Sequence, residues 1–310
     1  MKVKGIHHIS SIVGQAQKDV DFYSGVLGLR LVKKTLNYDD KNYYHLYYGN
    51  KNASSEIVTT FPMNNMPQGK IGDGQVGYVS LAIPKDSFGF WKKRLNEFNI
   101  KNNEYTRFDK NRLYFTDPDG LEIEFIESDL AADNPYSYNG VSEKQAYKGI
   151  INAALFSKLP KETLTVLTDV FGYEIVDEDN DFYQLKLKES DEQFIELLKN
   201  SRGIGQVAKG SVHHLAFKVK NEDIVAWRDY LVKKGYHPTD VKERHYFRSV
   251  YFREPGGILF ELATAGPGFL IDETVDNLGE NFIIPKKYID ETQAIIKKMP
   301  AIVQREIDEI

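Results

Sequence analysis

The sequence predicts an α+β fold built from four βαβββ modules that form two cupped mixed sheets. Three observations point to it. A strand-then-helix pattern of nearly constant length recurs four times along the 310 residues. A glycine ends three of the four helical stretches. A proline-glycine turn feeding an apolar strand closes the second and fourth copies. Such self-similarity is read before any single element, because a repeat buries its apolar face only against its neighbours.

In chain order, the first copy opens on Gly5-Ile6-His7-His8-Ile9 and reaches Gly28-Leu29. The second opens near Val76-Gly77-Tyr78-Val79 and reaches Phe98-Asn99. The third runs from Gly149-Ile150-Ile151-Asn152 to Gly172-Tyr173, the fourth from Ser211-Val212-His213-His214-Leu215 to Gly235-Tyr236. His8 to Gly28 and Asn152 to Gly172 each span 20 residues, and His214 to Gly235 spans 21. Between them, Val20, Phe22, Tyr23, Val26 and Leu27 fall at helical spacing, as do Ile224, Trp227, Tyr230 and Leu231. The glycine that follows suits the left-handed position ending a helix. Tyrosine-rich runs such as 43–48, and 182–185, then read as strands. Asp117-Pro118-Asp119-Gly120 and Glu254-Pro255-Gly256-Gly257 are hairpin turns into the closing strands.

The modules are expected to pair as residues 1–130 and 147–265, joined by a polar linker, 131–146, that carries Pro135. A tail, 266–310, follows. It holds Phe269, Leu270, Phe282, Ile283 and Ile284, so it is expected to pack rather than hang in solvent.

Composition removes several classes of function. Lys and Arg number 40 against 45 Asp and Glu, a net charge of −5, which argues against a nucleic-acid partner. Hydrophobic residues at 41% and aromatics at 13% suffice for a core. Cysteine is absent, excluding disulfides, thiolate metal sites and cysteine nucleophiles. No apolar run reaches the ~18–20 residues of a membrane span, and no signal-type apolar segment opens the chain. A cytoplasmic protein with no membrane partner is the expectation. No glycine-rich phosphate loop or serine nucleophile elbow is present.

The candidate chemistry lies in the histidines. Of seven, four form two pairs, His7-His8 and His213-His214, each at the start of a module. Neighbouring strand side chains face opposite ways, so one of each pair can reach a shared site. In the fourth module His213 shares a face with Leu215, Phe217 and Val219, which leaves His214 on the more polar face. By register His8 is its counterpart. In the last strand Glu261 stands among apolar residues, where an unpaired charge costs several kcal/mol and a cation would stabilise it. His8, His214 and Glu261 are two imidazoles and one carboxylate, the set of non-haem Fe(II) sites that keep positions open for substrate and O2. Glu124, the second module's counterpart of Glu261, faces Tyr78 or Asn152 instead of histidines and reads as a non-ligand. His45, in a tyrosine-rich strand, reads as structural, and His237 as a surface residue.

The fourfold repeat with His, His and Glu at module edges resembles the vicinal oxygen chelate superfamily, the glyoxalase/bleomycin-resistance/extradiol-dioxygenase fold. Three stretches are similar to its hydroquinone-type ring-cleaving dioxygenases: Gly5 to Ser10, Phe22 to Thr35 with Gly28-Leu29-Arg30 at its centre, and Tyr44-His45-Leu46-Tyr47-Tyr48-Gly49. The tail from Gly266 to Gly279 fits as well. The resemblance implies an Fe(II) extradiol-type dioxygenase whose metal, held by His8, His214 and Glu261, sits in a cup shared by modules 1 and 4. Mn or Zn are metals that could occupy the same site. It implies a small para-dihydroxy aromatic substrate, O2 as co-substrate and a muconic semialdehyde-type product. Residues matching the family's pocket are His7, His213, Arg244 and Tyr251. Tyr251 is expected to move a proton and Arg244 to stabilise developing negative charge. Alternation turns His7 and His213 away from the metal unless the strands are bulged or twisted. Two other readings remain on the same fold: a glyoxalase-like isomerase or thiol transferase, and a non-catalytic aromatic-binding module. Against the former, Thr59-Thr60 stands in module 1 where it would have a second carboxylate. A homo-oligomer is compatible with the sequence.

Overall fold

The computed structural model describes residues 1–129, 135–190 and 192–309. The expected boundary at 130, the first four linker residues, 131–134, and the last tail residue lie outside the described residues.

All four βαβββ modules are present. Module 1 runs β1 (Ile6–Val13), α1 (Ala16–Val20), β2 (Arg30–Leu36), β3 (Tyr44–Gly49) and β4 (Ile57–Pro62). Module 2 runs β5 (Gln75–Ile83), α2 (Phe88–Glu97), β6 (Asn102–Arg107), β7 (Lys110–Thr116) and β8 (Glu122–Glu127). Module 3 runs β9 (Gly149–Phe156), α3 (Pro160–Thr165), β10 (Tyr173–Glu178), β11 (Phe182–Leu187) and β12 (Phe194–Leu198). Module 4 runs β13 (Ser211–Val219), α4 (Ile224–Lys233), β14 (Lys242–Glu243), β15 (Arg248–Arg253) and β16 (Leu259–Thr264). The tail adds β17 (Phe282–Ile283) and α5 (Thr292–Lys298). Helices α1 and α3 each widen into a π-helical stretch, Asp21–Val26 and Val166–Val170.

Sequence-distant modules share sheets. One sheet has the order β14-β15-β16-β13-β1-β4-β3-β2-β17, so modules 1 and 4 meet along the antiparallel β1–β13 pair. The other has the order β10-β11-β12-β9-β5-β8-β7-β6, joining modules 2 and 3 along β5–β9. Helices cover one face of each sheet. Trp91 of α2 packs on Phe125, and Trp227 of α4 on Phe171 beside Phe217 and Phe260. Burying each such ring stabilises the fold by about 1.5–3 kcal/mol. The opposite faces are concave.

Helix ends follow the expected turn chemistry. Gly28, Gly172 and Gly235 adopt φ of 68°, 82° and 87°. In module 2 Asn99 takes φ 55° at the matching place, a conformation asparagine tolerates better than most residues. The tail packs against module 1: β17 lies parallel to β2, and Arg30 donates to the carbonyls of Asp276 and Leu278. Among the described residues no helix is long and apolar enough to cross a membrane.

Candidate metal centre

The central β1–β13 pair carries two bulges, and each falls on the first histidine of a pair. Ile6 pairs with Phe217 and His8 with Ala216, which leaves His7 as an extra residue. Ser10 pairs with His214 and Ser11 with Val212, which leaves His213 extra. A bulge bends the strand and re-aims its side chains. Strict alternation, which would turn His7 and His213 away, therefore does not hold here. Instead His7 Nδ1 lies 2.8 Å from His8 Nδ1, and His213 Nδ1 lies 2.7 Å from His214 Nδ1.

Beyond those contacts, three side chains from three strands converge. His8 Nε2 is 3.1 Å from His214 Nε2, and Glu261 Oε2 is 3.2 Å from the first and 2.8 Å from the second. All three are buried. Parallel pairing of β13 with β16 sets Glu261 beside Ala216, within reach of His214. Ser249 on β15 holds the other carboxylate oxygen, Oε1. No donor meets hydrogen-bond geometry at Oε2, although both imidazoles stand against it.

The arrangement fits a divalent cation. One nitrogen from each imidazole and one carboxylate oxygen lie within 4.8 Å of one another, the only such group among the described residues. An unpartnered oxygen in a buried site is costly unless something positive completes it. Burial lowers the His214 imidazole and pushes His213 down to about 3, so these two rings are neutral and carry free lone pairs. Burial opposes charge on Glu261 as well; positive charge at His8 and His214 is what holds its carboxyl well below the usual carboxylate range, and a cation takes that place where the rings are neutral. The Nδ1 contacts then determine the tautomers. A cation at Nε2 requires the proton on Nδ1 of His8 and His214, so those N–H groups donate to His7 and His213. His7 in turn hydrogen-bonds the Thr264 backbone.

Above this group lies a cavity of about 450 Å³. Phe61, Phe247 and Tyr47 supply aromatic walls, and His8, His214 and Tyr251 border its floor. The Tyr251 ring meets His214 edge-on at 5.6 Å. Arg244 donates from Nε to the Tyr251 hydroxyl at 3.3 Å. Burial raises the Tyr251 phenol above its ordinary value, so it keeps its proton. His213 lines the same cavity, whereas His7 borders a separate one of about 320 Å³ behind Phe247.

Two participants escaped the sequence reading. Asp39, in the β2–β3 loop, accepts from both terminal nitrogens of Arg244, at 3.1 and 2.8 Å. His45, read as structural, is locked between Thr59 and the Tyr47 hydroxyl, yet its ring forms part of the cavity wall. Alternation along β3 places His45 on one face with Tyr47, which was the available signal. For Asp39 the sequence held none, since its partner is 205 residues away.

Glu124 lies in the other sheet. There Arg112 donates to Glu124 at 2.9 Å and also to Glu196, and Arg107 reaches Glu196 at 2.6 Å and the Tyr78 hydroxyl at 2.7 Å. Guanidinium groups fill that cup. His237 is exposed.

Comparison with known proteins gives a consistent result. The profile of the Glyoxalase/Bleomycin resistance protein/Dioxygenase superfamily matches residues 5–125 and 149–262. MhqO of Bacillus subtilis (strain 168), provisionally named a ring-cleaving dioxygenase, is 41% identical over 309 residues, 99% of each chain. The chlorohydroquinone/hydroquinone 1,2-dioxygenase of Sphingobium indicum is 33% identical over 296 residues, 90% of each chain. The crystal structure of a Bacillus subtilis protein, provisionally described as a dioxygenase, superposes with a TM-score of 0.95 at 40% identity, covering 98% of this chain and 99% of that one. Glyoxalase I from Zea mays superposes at 0.64 with 14% identity, over 89% of this chain and 97% of its own, a likeness of fold alone.

Proposed function

The chain belongs to the Glyoxalase/Bleomycin resistance protein/Dioxygenase superfamily, and from that premise we propose that it is a non-haem iron, extradiol-type dioxygenase that opens the ring of hydroquinone-type aromatic compounds with O2. The observation that supports this most is the convergence of His8, His214 and Glu261 on one point beneath an aromatic-walled cavity. The relatives named as ring-cleaving and hydroquinone dioxygenases support the substrate class.

In this reading His8 and His214 hold Fe(II) through Nε2, and Glu261 through Oε2. Zn(II) or Mn(II) could occupy the same donors. Bound there, Fe(II) supplies a site for O2 and a path for electrons from ring to oxygen. Three protein donors would leave positions open for both reactants, and Thr59, where a second carboxylate would stand, adds no fourth ligand. Phe61, Phe247 and Tyr47 sandwich the ring and exclude water. Tyr251 accepts from Arg244, which leaves its own O–H free to donate to a substrate oxygen. As a buried, neutral phenol it can hold or return a proton there. Arg244 adds positive charge on the same side. The bond broken joins the hydroxyl-bearing carbon to its neighbour. Both atoms of O2 enter the product, one in a carboxylic acid and one in an aldehyde, which gives a muconic semialdehyde.

The test is oxygen uptake. After anaerobic loading with Fe(II), the protein should consume one O2 per methylhydroquinone, well above the rate without protein. Uptake at background, with turnover of a thiol adduct or hemithioacetal instead, would reject the dioxygenase reading in favour of a glyoxalase-like one.

A further inference from the structure

Arg244 offers the cavity no free bidentate edge. Asp39 accepts one N–H from each terminal nitrogen and the Tyr251 hydroxyl accepts from Nε, so of the five N–H groups the two left over lie on different edges. Asp39 belongs to module 1 and Arg244 directly follows β14 of module 4, so the pair bridges the two modules across the cavity mouth. The loop that carries Asp39 is held from outside by the tail. Lys287 and the Tyr288 hydroxyl donate to the Tyr38 carbonyl, Lys41 pairs with Glu291, and Lys298 donates to Asn42. The Asp39 carboxylate thus has a defined place over Arg244, although its side chain faces solvent. The mouth as a whole carries Asp39, Asp40, Lys242 and Arg244, which sum to no net charge.

We infer that Asp39 sets the charge of the substrate this cavity accepts: by occupying the bidentate edge of Arg244 with the protein's own carboxylate, it selects neutral para-dihydroxy rings over rings that bear a carboxylate. The inference rests on the hydroquinone reading above and narrows it. A guanidinium fork is the usual bidentate receptor for a carboxylate. To use Arg244, a ring carboxylate has to displace Asp39 or sit beside it, where like charges repel. A neutral ring meets no such competitor and keeps the full contact with Phe61, Phe247 and Tyr47. Asp39 is a specificity residue in this account and touches no reacting atom.

The test compares methylhydroquinone with 2,5-dihydroxyphenylacetate, the same ring with one carboxylate added at the methyl carbon. Equilibrium binding is measured without oxygen on the full chain loaded with Zn(II), a redox-inert occupant. The proteins are the wild type, Asp39→Asn, Asp39→Glu and Asp40→Asn. The wild type should prefer the neutral ring by about tenfold or more. Asp39→Asn should shrink that preference about tenfold by tightening the acid, while Asp39→Glu and Asp40→Asn keep it. The inference is overturned if methylhydroquinone binds but Asp39→Asn leaves the preference unchanged, or if Asp40→Asn shifts it equally. Failure of the wild type to bind methylhydroquinone at all would overturn the hydroquinone reading and this inference with it. The neutral ligand alone distinguishes those failures. Asp39 lies on an exposed loop, and an unchanged melting temperature confirms that each variant is folded.

Discussion

The two sheets build the same cup twice and fill it differently. Strand register puts Tyr78 and Asn152 in the second cup where His8 and His214 stand in the first, and sets Glu124 and Glu196 opposite Glu261 and Thr59. Even the bulges repeat: Gly77 and Ile151 are the extra residues of β5–β9, as His7 and His213 are of β1–β13. At Gly77 a side chain has no room, since a Cβ would fall 2.0 Å from the Phe156 ring. The decisive exchange is on the neighbouring strand. Arg112 pairs across from Ile126 as Ser249 does from Ala263, so a guanidinium enters one cup where a small hydroxyl leaves the other open. Arg107 likewise matches Arg244; the former reaches down to the glutamates and the latter is drawn out to Asp39. A buried carboxylate needs a positive partner, and this fold accepts either a side-chain cation or a small ion.

The contrast can be broken most severely at the carboxylates. Glu261→Gln should abolish metal retention and activity, read as metal content after desalting, while Glu124→Gln should leave the metal in place. Equal metal loss in both would mean that the two cups are not distinct. Glu124→Gln should instead destabilise the fold by about 1–3 kcal/mol, because Arg112 and Arg107 lose one of two carboxylate partners and keep Glu196; urea unfolding measures this. Tyr251→Phe should lower kcat about a hundredfold with metal content unchanged, whereas Tyr114→Phe, at the matching position of β7, should leave kcat unaltered. Ser249→Ala frees one oxygen of Glu261 and should weaken metal affinity about tenfold, measured by chelator competition.

A separate contrast concerns the helices. Asp19 of α1 accepts from the Tyr48 and Thr60 hydroxyls, and burial raises it to about 8, while Thr163 stands at the equivalent place of α3. A buried carboxyl that keeps its proton when the unfolded chain has lost its own makes stability fall as pH rises from about 4 to about 8. Asp19→Asn should flatten that fall in melts taken across the range. Asp117, raised by burial to about 7, should leave a residual slope over the lower part of it.

Much of this contrast was legible in the sequence. Glu124 stood apart from Glu261 because it faces Tyr78 or Asn152 instead of histidines, and Thr59-Thr60 marked a missing second carboxylate. The contacts of His7 with His8 and of His213 with His214 were not legible. Alternation along one strand says where a side chain points only while the partner strand keeps register, and a bulge is a property of the pair. His45 was assigned to packing for a related reason: a tyrosine-rich strand looks alike on both faces until the curvature of the sheet decides which one is concave.

The module count, the helix ends and the three side chains that converge were determined by the chain alone, since they follow from spacing, turn chemistry and the scarcity of charge in apolar strands, all local along the polypeptide. Which cup stays open, which rings wall it and which carboxylate guards its mouth were decided by the tertiary structure. Those depend on β1 meeting β13, Arg112 crossing to Glu196, and a tail folding back to hold the Asp39 loop. Each joins residues far apart in sequence, and no local pattern encodes such a meeting.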